Sequence, residues 1–239
     1  MGSLRNAAKT FNNARWDEAI KDDLFPIPAK PTRVRLYNRI STVKSHFVEF
    51  VSKTKGATGF YELCLNWDPA TDESVEGGCP MCERGMKATE HHYAYLISRV
   101  EQKKMNVTTV HPVRLTGKLA GNILKLSEIV YGEEGNPEGW TDDDPPDATD
   151  PKFGFDVVLR KEDNSGKVEY HASQGDKNAL SKDERKAFEE YIQDGHDVAL
   201  LAKKGTRKRD EVAQKLASLP GLGGDEKPEG GGAKLGAAK

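Results

Sequence analysis

Four residues carry the clearest chemistry in the chain: His46, Cys64 and the pair in Cys79-Pro80-Met81-Cys82, which includes every cysteine present. Two thiolates separated by two residues grip one metal ion from the same side, and a distant Cys and His complete the tetrahedron that Zn2+ favours. One structural Zn2+ is therefore expected. The same C-x-x-C spacing also serves thiol redox chemistry, but a redox pair opens a helix after a strand in a βαβ unit. Here Glu76-Gly77-Gly78-Cys79-Pro80 is a turn following an acidic loop.

The elements that must position these ligands follow from residue patterns. Ser45 to Val51 reads as a strand, Lys55-Gly56-Ala57-Thr58-Gly59 as a turn, and Phe60 to Leu63 as the return strand into Cys64. That hairpin would set His46 beside Cys64, which favours His46 as the fourth ligand. His91 and His92 are the alternatives, reaching the metal through a helix over Glu83 to Glu90.

A second set of residues has the chemistry of nucleic-acid contact. Arg33 to Ile40 alternates, with Val34, Leu36 and Ile40 on one face and Arg33, Arg35, Tyr37 and Arg39 on the other. Single-stranded nucleic acid is held by cations along its phosphates and by rings under its bases, each stack contributing on the order of 1–3 kcal/mol. The candidate DNA contacts are accordingly Arg33, Arg35, Tyr37, Arg39 and Lys44, with Tyr93, Tyr95 and Arg99 on another strand; the basic stretch Lys203 to Lys215 is the next candidate.

Net charge is −2, but the eight acids of the segment 133–150, which has no Lys or Arg, leave the rest of the chain at +6. A basic body favours polyanions, and the Pro- and Gly-punctuated acidic segment reads as an exposed, mobile loop. No apolar run is long enough to cross a bilayer, and the start lacks the apolar stretch of a signal peptide. No membrane partner is expected. Three cysteines, an odd number, argue against a disulfide scaffold and fit a reducing cytoplasm.

The expected architecture is mainly β with flanking helices. Strands are read at Arg33–Ile40, His46–Ser52, Tyr93–Val100, Val110–Leu115, Phe155–Lys161 and Lys167–Ser173, the last two joined by Asn164-Ser165-Gly166. Leu119, Ile123, Leu126 and Val130 mark one helix, and a capping box at Ser181-Lys182-Asp183-Glu184 starts another running to about Gln193. Short strands with one helix among them suggest a closed OB-fold barrel carrying a zinc lobe. The boundaries are an N-terminal arm at 1–31, with Leu4, Ala7, Phe11 and Ala14 at helical spacing before a Pro-rich connector, and an OB core at 32–196. Within that core lie a zinc lobe at about 60–90 and an acidic loop at 132–150. A basic helical segment and a disordered Gly-rich tail make up 197–239.

Over about residues 32–185 the chain resembles the tailed-phage single-stranded DNA-binding proteins, helix-destabilising replication proteins whose OB-fold carries a zinc ribbon. The resemblance lies in Arg33-Val34-Arg35-Leu36-Tyr37, His46-Phe47, Gly59 to Cys64, Cys79-Pro80-Met81-Cys82, the Tyr-rich strand at Tyr93, Asp150-Pro151-Lys152-Phe153-Gly154-Phe155-Asp156 and the strand ending in Tyr170. It implies His46 as the fourth ligand, and a function in coating single-stranded DNA during replication, recombination or repair in the cytoplasm of a bacterial host. It also implies phage replication and recombination proteins as partners and self-association on DNA. Two departures bear on those partners: the chain ends in Gly230 to Lys239 rather than an acidic tail, and Leu4 to Trp16 lacks the basic cooperativity segment of some relatives.

A different class of reading is a phage regulator whose zinc ribbon binds host RNA polymerase or another protein. A zinc deaminase would need His-x-Glu and Pro-Cys-x-x-Cys with an open metal position. The chain instead has His46-Phe47-Val48-Glu49 and a proline inside the Cys pair. No enzyme is expected.

Overall fold

The computed structural model of the protein describes Ile20 and residues 22–52, 56–132 and 135–219. The helix expected over Leu4–Ala14 and the tail from Pro220 lie outside the described residues. In chain order the elements are β1 (Thr32–Ser52), β2 (Gly56–Leu63), β3 (Trp67–Asp68), β4 (Glu73–Ser74), α1 (Pro80–Glu83), β5 (Ala88–Ser98), α2 (Arg99–Met105) and β6 (Val110–Leu115). They continue with α3 (Gly117–Tyr131), β7 (Phe155–Asn164), β8 (Lys167–Lys177), α4 (Lys182–Tyr191), α5 (Val198–Gly205) and α6 (Arg209–Ala217).

The two strands expected at Arg33–Ile40 and His46–Ser52 are one, β1, interrupted by an irregularity between Tyr37 and Ser41. Tyr37 pairs with Tyr95 and Ser41 with Tyr93, so β1 carries two extra residues there. A shift of one would turn every later side chain to the opposite face; a shift of two preserves the facing. Even-numbered positions such as Val34 and Leu36 therefore join the core with α3, and odd-numbered Tyr37 and Val43 pack with α4 and α5.

The main sheet is antiparallel, ordered β6-β5-β1-β7-β8, with β2 paired to the second half of β1. No ladder joins β6 to β8 among the described residues, so the expected closed barrel is not formed. Helix α3 leaves β6, packs against β8 and fills the space with Leu119, Ile123, Leu126 and Val130. Each such side chain contributes about 1.5–3 kcal/mol when fully buried. That outweighs the Thr116 cap on the Leu119 N–H, worth about 1 kcal/mol. The β7–β8 hairpin turns through Ser165 (φ 56°) and Gly166 (φ 86°), the two positive values a type I′ turn requires. The capping box at Ser181 and Glu184 is formed. No described helix is long and apolar enough to cross a membrane.

Arg35 departs from the expected cationic face: it is fully buried. Its guanidinium donates to the carbonyls of Leu36, Ala148, Asp150 and Phe155. It thereby pins the end of the acidic segment to β1 and β7. Burial pulls its pKa down to about 10, opposed chiefly by Asp156, so it stays charged at neutral pH. A Cβ at Gly154 would run into the Asp150 carbonyl oxygen and both terminal nitrogens of Arg35, which explains glycine at that position. The same segment is tied further by the Asp147 carboxylate accepting from the Thr149 N–H and the Asp150 carboxylate accepting from those of Lys152 and Phe153.

Arg35→Ala strands those buried carbonyls and should destabilise the protein by about 3–5 kcal/mol. Arg33→Ala breaks only a surface pair with Asp176 and should cost under about 1 kcal/mol. Urea midpoints at unchanged m-value read the contrast; equal midpoints would remove Arg35 from this role.

Candidate metal centre and nucleic-acid surfaces

His46, Cys64, Cys79 and Cys82 converge, their ligand atoms all within 4.8 Å of one another. His46 projects from the even face of β1 opposite Glu62 of β2, and Cys64 follows β2, its N–H donating to the Lys44 carbonyl at 2.9 Å. Cys79 is the N-cap of α1, and Cys82 lies inside that single turn. Gly85, with φ 73°, closes the turn by donating to the Cys82 carbonyl at 2.9 Å. Asn66 ties the two cysteine loops, its side-chain oxygen accepting from the Cys79 N–H at 2.8 Å.

His46 Nε2 lies 3.6 Å from the Cys79 sulfur and 3.5 Å from that of Cys82, and Cys64 Sγ lies 3.6 Å from Cys82 Sγ. Zinc-type bonds of about 2.3 Å to sulfur and 2.0 Å to nitrogen in a tetrahedron give about 3.8 Å between sulfurs and about 3.5 Å from sulfur to nitrogen. The donor set fits a four-coordinate metal ion. His46 Nδ1 is buried without a well-formed hydrogen bond, though the backbone of Lys87 and Met86 lies near enough to favour the protonated ring. Burial outweighs that influence and lowers its pKa, leaving the neutral, ligating form. Burial, reinforced by the neighbouring thiols, pushes Cys82 up to about 12, and burial also raises Cys64. Without a cation the Cys64 and Cys82 thiols hold their protons, so metal binding must displace them.

His91 and His92 stand elsewhere. His91 Nε2 is 2.8 Å from Ser45 Oγ, and His92 Nδ1 is 3.3 Å from Thr42 Oγ1. The helix expected over Glu83–Glu90 is only the turn α1, after which β5 begins at Ala88.

Helix α6 closes the apolar side of the metal lobe. Val212, Leu216 and Leu219 pack with Val48, Cys64, Cys79 and Met81. Lys215 of this helix and, from the preceding linker, Arg207 pair with buried Glu62 at 2.7 and 3.0 Å, and the exposed Arg209 pairs with Glu83 at 3.0 Å on the surface. Lys203 of α5 pairs with Asp68 at 3.0 Å. These cations of the Lys203–Lys215 stretch therefore hold the C-terminal helices to the body.

The candidate DNA residues divide. Tyr93 and Tyr95 are buried because α4 and α5 cover that face of the sheet, and Arg35 is buried against the 148–155 segment whose carbonyls it bonds. The Tyr95 hydroxyl donates to the His196 carbonyl at 3.0 Å and accepts from the Val198 N–H at 2.8 Å. Tyr37 is half-buried and stacks on Phe188, with centroids 4.6 Å apart. Lys44 pairs with Glu90 at 2.9 Å and sits 3.8 Å from the centre of the Trp67 ring. Arg39 lies in β1, with its side chain outside the description.

Arg33 and Arg99 do meet. With Val100, Lys103 and Lys104 they line a cleft of about 540 Å3. Arg99 does not belong to a strand: Ser98 ends β5 and accepts from the Glu101 N–H at 3.3 Å, opening α2. Ser98-Arg99-Val100-Glu101 is itself a capping-box pattern, the signal that exposes this helix and with it Lys103 and Lys104. Arg99 is held from behind by Asp156 at 3.1 Å and by Glu184. Burial alone would raise the pKa of Glu184, but hydrogen bonds from Gln102, the Ser181 N–H and Arg99 hold it below the ordinary range. It stays an anion facing that cation.

No family model matches the chain, and no curated protein sequence is similar to it. Function is therefore read from the residues themselves.

Two outcomes test the metal centre. His46→Ala and Cys79→Ser should lose most bound metal, while His91→Ala and His92→Ala retain about one ion per chain by elemental analysis; the reverse ranking would move the fourth ligand. Chelation should also loosen α6, because the two share one apolar cluster. Trypsin should then cut at Arg207 and Lys208 faster than in the metal-loaded protein, and equal cutting rates would uncouple the two.

Proposed function

We propose that the protein is a non-enzymatic, sequence-independent single-stranded DNA-binding protein of phage replication, recombination or repair, with one structural Zn2+ held by His46, Cys64, Cys79 and Cys82. The observation that carries the nucleic-acid reading is the cleft of Arg33, Arg99, Lys103 and Lys104, four cations lining one surface with Val100. Arg33 and Arg99 already pair with Asp176, Asp156 and Glu184, so Lys103 and Lys104 supply the charge that draws a phosphodiester chain and releases its counterions. Val100, Met105 and Val107 expose apolar surface on the same segment, as contact with sugars and bases would use.

The ligand order, one His and then three Cys ending in Cys-Pro-x-Cys, resembles that of the phage helix-destabilising proteins. We read the open sheet with α3 across its gap as an OB-type barrel of that kind. Four protein donors leave a metal no open position for substrate, which supports a structural role. Because α6 already occupies the apolar side of the lobe, a ribbon that docks on another protein has less to recommend it.

Fluorescence anisotropy with single- and double-stranded oligonucleotides at two salt concentrations tests the reading. Single strands should bind more tightly than duplex, with affinity falling as salt rises. Lys103→Ala and Lys104→Ala should each lower the log–log salt slope by roughly 0.7, and preference for duplex would overturn the assignment.

A further inference from the structure

Helices α4 and α5 cover the odd-numbered face of β1 as far as Val43 and Leu63. Beyond them, on the β1–β2 hairpin, Phe47 and Tyr61 stand directly opposite each other and expose 48% and 65% of their surface. Their ring centroids are 5.0 Å apart at 52°. A Cβ at Gly59 would collide with the Phe47 ring, so that ring lies down over the glycine and turns its other side away from the hairpin.

His91 meets Tyr61 edge-on, with centroids 6.1 Å apart at 77°, and is anchored by Ser45 Oγ at 2.8 Å. The exposed Arg114 side chain contacts His91 Nδ1. On the hairpin itself, the nearest acid on this face is Glu49, two residues past Phe47, so positive charge lies on the Arg114 side. Two aromatic side chains supply at most ~500 Å2 of contact, less than the ≈ 800 Å2 per partner of a stable protein interface. They match one or two flat bases.

We propose that Phe47 and Tyr61 form a stacking platform for unpaired nucleobases of a single strand, with Arg114 taking the neighbouring phosphate. This rests on the single-strand reading above and adds a second contact region at the far end of β5 from the Arg33–Lys104 cleft. Base stacking on aromatic rings tolerates any sequence because every base has a π face. An arginine beside the rings adds affinity that salt screens.

The test compares a deoxythymidine oligonucleotide with an abasic deoxyribose-phosphate strand of equal length, titrated into the metal-loaded full chain. The parent should favour the strand that carries bases. Phe47→Leu and Tyr61→Leu keep apolar bulk without an aromatic face, and each should weaken binding of the thymidine strand about 5- to 100-fold. Neither should change binding of the abasic strand or the salt slope. Arg114→Ala should weaken both strands and flatten the slope. Tyr61→Leu, at the more exposed position, carries the test if Phe47→Leu alters circular dichroism or metal content. Leucine variants that bind the thymidine strand like the parent would overturn the platform while leaving the single-strand reading in place. A parent that binds neither strand would defeat both.

Discussion

The backbone ladder of β1 is the constraint on which the rest of the molecule depends. One strand pairs with β7 through Thr32 to Arg35, with β5 along most of its length, and with β2 from Ser45 to Ser52. Its even face supplies Val34 and Leu36 to the core under α3, then His46 and Val48 to the metal lobe. Its odd face supplies Tyr37 and Val43 to the helical layer, then Phe47 to the exposed hairpin. Because the irregularity after Tyr37 adds two residues, both faces keep their identity across it. Adding one residue instead would turn His46 away from the cysteines.

Buried charge sets a second constraint. Arg35 sits where an alternating pattern places a surface cation, yet it bonds to four carbonyls. Glu62, also buried, is answered by Arg207 and Lys215 from the far end of the chain. In both cases a charge inside the protein is matched chiefly by groups more than a hundred residues away, which ties distant described stretches of the chain into one cooperative unit.

The metal cluster was legible because its residue types are rare: three cysteines, one C-x-x-C pair and a hairpin that aims His46 at Cys64 leave few arrangements. Local signals were equally readable at Asn164-Ser165-Gly166, at the Ser181 cap and along the Leu119–Val130 stripe, where a few neighbouring residues decide the outcome. The covering of the odd face was not legible. Whether Tyr37, Tyr93 and Tyr95 meet solvent depends on Phe188, Val198 and Ala202, whose docking no nearby pattern reports. The Arg33–Ile40 alternation describes β1 correctly and says nothing about a second helical layer. Sheet closure lies beyond local pattern too, since it depends on how far β6 stands from β8 once α3 is packed between them.

The position of α6 has a consequence in time. The ribosome makes the chain at about 5–20 residues per second, and N-terminal elements fold first. His46, Cys64, Cys79 and Cys82 all precede Arg209 by more than a hundred positions, so synthesis leaves an interval of roughly ten seconds in which the four donors exist and their cover does not. During that interval the cysteine sulfurs stand open on one side to whatever ion the cell supplies. Once Val212 and Leu216 dock, that side is shut. An ion taken up during synthesis therefore meets the four donors before α6 covers them.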